Sequence, residues 1–368
     1  ERLAGQAGLW VELLTEMRDL VPRQPKTEQA VLWIRIARLY GEKLNHHEYA
    51  LASLGEAQKL SIPDAEKKSF FTLRADLCRR AQRWKDLAES IGQLADLTDE
   101  KEKRVDLFLE QGEIFETRLS DNAAAVAAYK QARTTDPQSR DAMLALEHTL
   151  RRASSWNDLI SLLDEKAGLL AEQGDPSGEL TARREAAQLQ AEHGTDRRAS
   201  VRRWEEVHKL APDDLDVLRA LERLYSTEGN VSEAYLKVLA SLAQLVQSDK
   251  ERLTLYRRLA AEYEEMPGQL DAATAALEKI LDIDPKAEDA YRSLCRLYRQ
   301  QKKWPELVTT YQRHIDHTDK GKTELLTALA RVHELEIPAG DELLRRQEAP
   351  KAVSAWQQIL DLEPEHTG

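Results

Sequence analysis

The few side chains in this sequence that could support chemistry lack the spacing that chemistry requires. His314 and His317 stand three positions apart, on one face of a predicted helix, but a zinc site needs three or four ligands and no cysteine pair lies near them. Cys78 and Cys295 are too distant in sequence for a metal motif, and we interpret them as small packing residues. Motifs for phosphate, dinucleotide, zinc-protease and serine-hydrolase sites do not occur. The sequence therefore predicts a protein that is not an enzyme, with no catalytic residue, metal or cofactor.

The elements that carry these side chains are predicted to be helices throughout. Charged residues make up 32% of the 368 residues and hydrophobic residues 42%, glycine is scarce, and Ala, Leu, Glu and Arg dominate. The net charge of −12 argues against a nucleic-acid binder, because neutralising phosphates needs a basic surface. There is no run of 18 apolar residues, so no membrane span is expected, and no small-molecule substrate is indicated.

The composition and the first residues of the chain suggest where the protein is located and what kind of gene encodes it. Two cysteines without a disulfide pattern favour a reducing compartment, so we expect a cytoplasmic protein. The chain begins at Glu1 rather than Met and shows no signal peptide, which suggests a fragment of a longer protein. A periplasmic or envelope-associated location therefore stays open. The Arg-rich and Ala-rich composition suggests a bacterial gene of high GC content.

A long internal repeat organises the chain. Four tryptophans open the same phrase, Trp-x-x-Leu, at intervals of 74, 72 and 148 residues, and they are Trp10, Trp84, Trp156 and Trp304. Val231 stands midway through the longest interval. Prolines recur every 73 to 79 residues, at Pro63, Pro137, Pro212, Pro285 and Pro364. Small residues recur in pairs with the same period: Ala37 and Ala50, Gly112 and Ala125, Ala187 and Ser200, Ala260 and Ala273, Ala330 and Ala352. A fixed period of this kind indicates stacked structural repeats.

A period near 74 residues divides into two helical hairpins of about 37 residues each. Apolar residues recur at helical spacing within a hairpin, as in Leu294, Leu297 and Tyr298. Capping residues precede the second helix of several hairpins, and a proline stops it; the caps are Asp121-Asn122, Asp196 and Asn230. No segment has the pattern of a strand.

These hairpins resemble the tetratricopeptide repeat (TPR) family over essentially the whole chain. Its first helix, helix A, is matched by Tyr256, Leu259, Ala260 and Tyr263. Its second helix, helix B, is matched within residues 122–137 by Ala125, Tyr129, Ala132 and Asp136-Pro137. Alternate hairpins diverge, because they begin helix B with Trp and carry Leu where the family has a small residue.

The resemblance implies an all-α, right-handed α-solenoid of about ten antiparallel hairpins, with a superrepeat of about 74 residues. It implies a single continuous domain over residues 1–368, built from the hairpin pairs 1–63, 64–137, 138–212, 213–285 and 286–368. We interpret the Trp series and the small residues as structural anchors that pack the hairpins together, along with Tyr129, Pro137 and Pro285.

Because helix A lines the concave face of TPR stacks, the resemblance also indicates a candidate partner-binding surface. Arginine is frequent at the predicted inner positions, at Arg79, Arg80, Arg151, Arg152, Arg219, Arg223, Arg257, Arg292, Arg296 and Arg299. Arginine binds carboxylates bidentately, so an acidic or C-terminal peptide segment is the predicted ligand. The alternative is that these are ordinary solvated arginines, some paired with Glu four residues away. Acids also occupy inner positions, at Glu113, Glu116 and Glu334, and the inner asparagines of the chaperone-binding carboxylate clamp do not occur.

The leading hypothesis for function is a non-enzymatic scaffold or adaptor that binds protein or peptide partners along this face. Three alternatives stay open: a regulatory or recognition domain of a larger enzyme or complex, a self-assembling rod that forms homo-oligomers, and RNA binding by the arginine-lined groove. The insertion from His333 to Ala349 is a second candidate site, because functional loops often depart from repeat geometry; the alternative, which we favour for it, is a harmless insertion.

Overall fold

The computed structural model describes residues 8–226, 232–318, 320–339 and 341–362, and in these ranges it contains helices and no strand. The chain divides into two compact units, Glu1–Gly194 and Thr195–Gly368. Each unit is a series of helices in which every helix packs against the next one along the chain. The prediction of an all-α helical repeat is thereby confirmed, whereas a single continuous solenoid over residues 1–368 stays a prediction.

The described residues of the first unit contain ten α-helices. Even-numbered helices correspond to helix A of a hairpin and odd-numbered helices to helix B. They are α1 (Trp10–Leu20), α2 (Lys26–Lys43), α3 (His47–Gln58), α4 (Asp64–Arg80), α5 (Trp84–Asp96), α6 (Lys101–Thr117), α7 (Asn122–Thr135), α8 (Arg140–Arg152), α9 (Trp156–Glu172) and α10 (Pro176–His193). A short 3-10 turn, Val21–Arg23, follows α1.

The described residues of the second unit contain nine α-helices with the same alternation. They are α11 (Arg197–Leu210), α12 (Leu215–Ser226), α13 (Glu233–Leu245), α14 (Asp249–Glu265), α15 (Leu270–Ile283), α16 (Glu288–Gln301), α17 (Trp304–His317), α18 (Lys322–Arg331) and α19 (Glu342–Leu362). A π-helical turn, Val332–Glu336, continues α18 through the first part of the predicted insertion.

Side-chain caps begin several B helices, as their sequences predict. The Asp121 carboxylate accepts a hydrogen bond from the Ala124 amide at 3.0 Å at the start of α7. Asp196 caps α11 in the same way. Asn230 lies outside the described residues, and the cap of α13 is Ser232, whose hydroxyl accepts from the Tyr235 amide. These contacts satisfy amide groups that the first turn of a helix leaves without partners.

The recurrent prolines follow helix ends without being buried. Helices α7 and α15 each end two residues before a proline, and both prolines, Pro137 and Pro285, are exposed. These prolines therefore act through the backbone: they stop the preceding helix from continuing, because proline has no amide hydrogen to donate. Pro364 lies outside the described residues.

In the Trp-x-x-Leu phrase the leucine is the more deeply buried member. Trp84, Trp156 and Trp304 are each the first residue of a helix and are half-buried. The leucines three positions later are almost inaccessible: Leu87 is 1% exposed, and Leu159 and Leu307 are 0% exposed. Trp10, at the start of α1, is also half-buried. The tryptophans thus lie at the edge of the core rather than in its centre.

The paired small residues lie in the core, where helices approach closely. Ala37, Ala187 and Ala330 are each 0% exposed, Ala260 is 3% exposed, and Gly112 is also buried. All five belong to A helices, and their B-helix counterparts are likewise buried: Ala50, Ala125, Ser200, Ala273 and Ala352. A larger side chain at these positions would meet an occupied interior.

Candidate functional site

The ten predicted groove arginines lie on A helices, and all ten are exposed. Helix α4 carries Arg79 and Arg80, α8 carries Arg151 and Arg152, α12 carries Arg219 and Arg223, α14 carries Arg257, and α16 carries Arg292, Arg296 and Arg299. Four of them belong to the first unit and six to the second. Each unit is therefore considered separately.

Most of these arginines form ion pairs with acids on the neighbouring A helix. In the first unit the Arg79 guanidinium pairs with Glu110 on α6, and Arg152 pairs with Glu116 at 2.8 Å. Arg151 pairs with Glu185 on α10. The partners lie 31, 36 and 34 residues apart, close to the length of one hairpin.

The second unit repeats the arrangement. Arg219 on α12 pairs with Glu251 on α14 at 3.2 Å, and Arg257 on α14 pairs with Asp289 on α16 at 2.8 Å. Two further pairs connect the A helices, Arg296 with Glu264 and Arg258 with Glu222. The A helices are thus joined by a series of arginine–carboxylate pairs, which we call the A-face ladder. It neutralises much of the positive charge that the sequence places on this face.

Three of the predicted arginines pair with an acid on their own helix, and one of them, Arg151, does so in addition to its pair with Glu185. Arg80 contacts Asp76 at 3.0 Å, and Arg292 contacts Glu288 at 3.4 Å. The Arg292 side chain is 75% exposed, more than that of its neighbours Arg296 and Arg299 at 58% and 42%. Exposed pairs of this kind contribute about 0–1 kcal/mol, so an incoming carboxylate could replace Glu288 at low cost.

The three arginines of α16 line one cleft, of about 290 Å³, together with residues of α17 and α18. The arginines follow one another at positions i, i+4 and i+7, so they share a helix face. Arg299 donates from Nε to Glu336 at 2.7 Å and from Nη2 to the Tyr311 hydroxyl at 3.2 Å. The structure therefore brings Arg292, Arg296 and Arg299 together, with Arg292 the most accessible to a ligand. This α16 cleft is the first candidate site.

The thiol that lines the α16 cleft is unreactive. Burial raises the pKa of the Cys295 thiol to about 11, an effect that Arg299 and a hydrogen bond with Tyr311 only partly oppose. Burial likewise raises the pKa of Tyr311. A thiol with such a pKa is almost entirely protonated at neutral pH, so Cys295 has a packing role. Cys78, also buried, has a pKa raised to about 11 by burial.

His314, one of the two histidines that could have bound metal, is a core residue of α17. It is 8% exposed, and its ring stacks on Tyr291 with 4.4 Å between ring centres and 6° between ring planes. Burial lowers its pKa. His317 is exposed on the same helix. Among the described residues no group of three or more His, Cys, Asp or Glu side chains could hold a metal ion.

The predicted insertion forms one wall of a larger cavity, of about 850 Å³, between α17, α18 and α19. Leu329, Ile337 and Leu344 supply apolar wall, and the Trp304 side chain lies at the boundary with α17. The volume is within the range of about 300–1,000 Å³ that is usual for ligand pockets. We call it the insertion cavity, and it is the second candidate site.

A half-buried acid on the insertion cavity binds two basic groups. The Glu348 carboxylate accepts from the Lys351 ammonium at 2.8 Å and lies 2.5 Å from Nδ1 of His333, which is 5% exposed. Burial raises the pKa of Glu348, but the hydrogen bonds and charges of Lys351 and His333 more than offset this, and the resulting pKa is below its ordinary value. Glu348 is therefore ionised at neutral pH.

The acidic partners of the A-face ladder were not among the sequence-predicted site residues, except Glu116. A signal for them does exist, because an arginine and an acid recur about 32 to 36 residues apart, one hairpin length. Glu113 and Glu334, the other two predicted inner acids, are exposed.

Comparison with known proteins bears on the same hairpin. Residues 290–326, which span α16, α17 and the start of α18, match the family model for the tetratricopeptide repeat. The other described helices repeat the A–B alternation of that hairpin, and the paired buried small residues belong to the hairpins that alternate with it. Residues 290–326 are thus similar to a tetratricopeptide repeat, and the described helices form an all-α helical repeat. No curated protein matches its sequence.

Solved structures of TPR proteins are similar to this chain at low identity. The C-terminal part of a TPR repeat-containing protein from Cytophaga hutchinsonii has 15% identity and a TM-score of 0.29, covering 71% of this chain and 99% of that one. PilF of Pseudomonas aeruginosa has 14% identity and a TM-score of 0.25, covering 72% and 95%. A TPR protein of Thermus thermophilus has 19% identity and a TM-score of 0.21, covering 63% and 100%. These low values carry no information about partner or activity.

Within the described residues, no helix has the length and apolarity that crossing a bilayer would require.

Proposed function

We propose that this TPR-like chain is a non-enzymatic protein-interaction scaffold, and that its A-helix face binds a partner segment at the α16 cleft. TPR repeat proteins are generally protein-interaction scaffolds, which supports the broad assignment. The observation that supports the location is the convergence of Arg292, Arg296 and Arg299 on one cleft within the hairpin that matches the family model.

A carboxylate is the ligand group that fits this cleft best. A guanidinium presents five N–H donors in a planar fork, and a carboxylate accepts two of them at once. Arg296 and Arg299 already bind Glu264 and Glu336, which neutralise their charge, but each guanidinium has further N–H groups that could donate to a ligand. Arg292, held only by Glu288, is the group that a partner carboxylate would engage. An acidic peptide segment is therefore the proposed partner.

The A-face ladder makes RNA a poorer fit. Polyphosphate binding needs a continuous excess of positive charge, whereas most of the predicted arginines are matched by a carboxylate from the next A helix. A partner with a few well-placed carboxylates needs only the exposed arginine and its neighbours.

The proposal is tested with a fluorescent decapeptide of alternating glutamate and glycine, and with its glutamine–glycine analogue as the neutral control. We expect fluorescence anisotropy to show binding of the acidic peptide that weakens at about 0.3 M salt, where exposed charges are screened. Arg292→Glu should weaken binding roughly tenfold, equivalent to about 1.4 kcal/mol.

Arg80→Glu is the matched control, because Arg80 also pairs only with an acid on its own helix but lies on α4 in the other unit. It should leave the affinity unchanged. Equal affinity of wild type and Arg292→Glu, or equal binding of the neutral peptide, would contradict the proposal.

A further inference from the structure

Three of the four Trp-x-x-Leu tryptophans have their ring covered by a basic side chain from the following A helix. The Lys43 ammonium lies 5.7 Å from the ring centre of Trp10, and the Arg118 guanidinium lies 4.8 Å from that of Trp84. The His193 ring stacks on Trp156 at 4.2 Å with 6° between the planes. Cations are attracted to the negative face of an aromatic ring, and tryptophan is the strongest acceptor.

The covering residue occupies one fixed repeat position. Lys43, Arg118 and His193 each stand six residues after the buried small residue of their A helix, which is Ala37, Gly112 and Ala187 respectively. Six residues after Ala330, the corresponding position holds Glu336.

Glu336 cannot cover the Trp304 ring as the basic residues cover theirs. Its carboxylate carries the charge that an aromatic face repels, and it is bound to Nε of Arg299 at 2.7 Å. Among the described residues no cationic group lies over the Trp304 ring. The ring instead borders the insertion cavity, about 850 Å³ in volume.

The chemistry around Trp304 favours a basic group beside an apolar one. Leu329 and Ile337 provide apolar wall, and Glu348 places a carboxylate of lowered pKa on the same cavity. Gln312 and Gln358 are exposed lining residues with amide side chains, which can bond a peptide backbone. The whole chain carries a net charge of −12, which attracts a basic partner over distance.

We propose that the insertion cavity is a second docking site, separate from the α16 cleft, and that it binds a partner peptide in which an arginine or lysine stands next to aliphatic residues. The basic side chain covers Trp304, as Lys43 and Arg118 cover their tryptophans within the chain. The aliphatic side chain packs against Leu329 and Ile337. The insertion thus replaces an internal contact by an intermolecular one.

The test uses a labelled leucine–arginine–leucine–leucine peptide with blocked ends, and its citrulline analogue, which has the same shape without the charge. Binding of the arginine peptide to the whole chain is expected to exceed that of the citrulline peptide by about 3- to 30-fold, the range that a cation–π contact of about 0.7–2 kcal/mol gives. Trp304→Leu should reduce the difference, and Trp304→Phe should restore part of it.

Two further variants separate the proposal from general effects. Glu336→Arg places a basic residue where the related hairpins have one, and it should block the arginine peptide while leaving helicity unchanged by circular dichroism. Trp84→Leu removes a tryptophan that Arg118 already covers, and it should leave peptide affinity unchanged.

The proposal of a second site would be overturned if the arginine and citrulline peptides bound equally well. It would also be overturned if Trp304→Leu and Glu336→Arg both bound the arginine peptide as tightly as wild type. The Trp304→Leu outcome is independent of the α16 cleft, because this variant should not alter binding of the acidic peptide, nor Arg292→Glu that of the basic one. Glu336→Arg also removes the acid that binds Arg299, so it is compared only for the basic peptide.

Discussion

Replacing Gly112 by alanine should destabilise the first unit, although alanine is the better helix former. Gly112 lies within α6, and a Cβ atom added to it would stand 2.6 Å from both Cδ1 and Cζ of Tyr129 on α7. Real Cβ contacts are not so short, so the ring must move. Tyr129 is 3% exposed and its hydroxyl donates to Glu116 at 3.3 Å, which leaves little room for movement.

The expected magnitude combines two opposing effects. Overpacking a filled interior destabilises by about 1–3 kcal/mol. Replacing an interior helical glycine by alanine stabilises by about 0.5–1 kcal/mol. The free energy of unfolding of Gly112→Ala should therefore fall by about 1–2 kcal/mol. Gly168 is the matched control, because it lies in another 17-residue helix, α9, and nothing stands within 4 Å of an added Cβ. Gly168→Ala should gain about 0.5–1 kcal/mol.

The assay is urea unfolding followed by circular dichroism, with the two variants and wild type measured in parallel. A double-mutant cycle with Tyr129→Leu isolates the contact, since removing the ring should lessen the loss caused by Gly112→Ala. The reasoning is refuted if both glycine variants gain stability, or if the loss at Gly112 is the same with and without the Tyr129 ring.

Three further outcomes follow from the structure. Leu159→Ala, at a position that is 0% exposed, should lower the free energy of unfolding by about 2–5 kcal/mol in urea titrations. Asn157→Ala, at an exposed position two residues earlier in the same helix, should change it by less than about 0.5 kcal/mol. Burial lowers the pKa of His314 in the folded chain, so the unfolded chain binds more protons below about pH 6.5. The free energy of unfolding should therefore decrease as the pH is lowered through this range, and it should decrease less in His314→Phe. Equal pH dependence of the two proteins would be evidence against a buried, neutral His314. Cys78 and Cys295, with pKa values raised to about 11, should react with a thiol reagent at pH 8 only after urea is added, and fast labelling of the folded chain would show that they are accessible.

The regularity of the repeat explains why so much of the fold could be predicted. Trp84, Trp156 and Trp304 each begin a helix, and the paired small residues are buried, because periodic residues in a stacked hairpin occupy equivalent positions. The burial of Trp was less predictable. A large residue is readily assigned to the core, yet the first residue of helix B lies at the edge, where a residue from the next hairpin covers it.

The candidate site was harder to predict because it depends on contacts between hairpins. Helical spacing places Arg292, Arg296 and Arg299 on one face, and the structure brings them to one cleft. Helical spacing could not show that Arg296 is bound by Glu264 on the preceding A helix, because the spacing of residues within one helix carries no information about the neighbouring helix. Nor could the insertion's length reveal that its π-helical turn places Glu336 beside Arg299.

Hydrogen exchange of the backbone amides, with and without the glutamate–glycine peptide, tests most directly whether the A-helix face is the partner-binding surface. Ligand binding slows exchange where it suppresses local opening. We predict increased protection in α16 and at the start of α18, which border the α16 cleft, and no change in α4, where Arg80 lies. Protection confined to other helices, or equal in the presence of the glutamine–glycine peptide, would contradict the proposed binding surface.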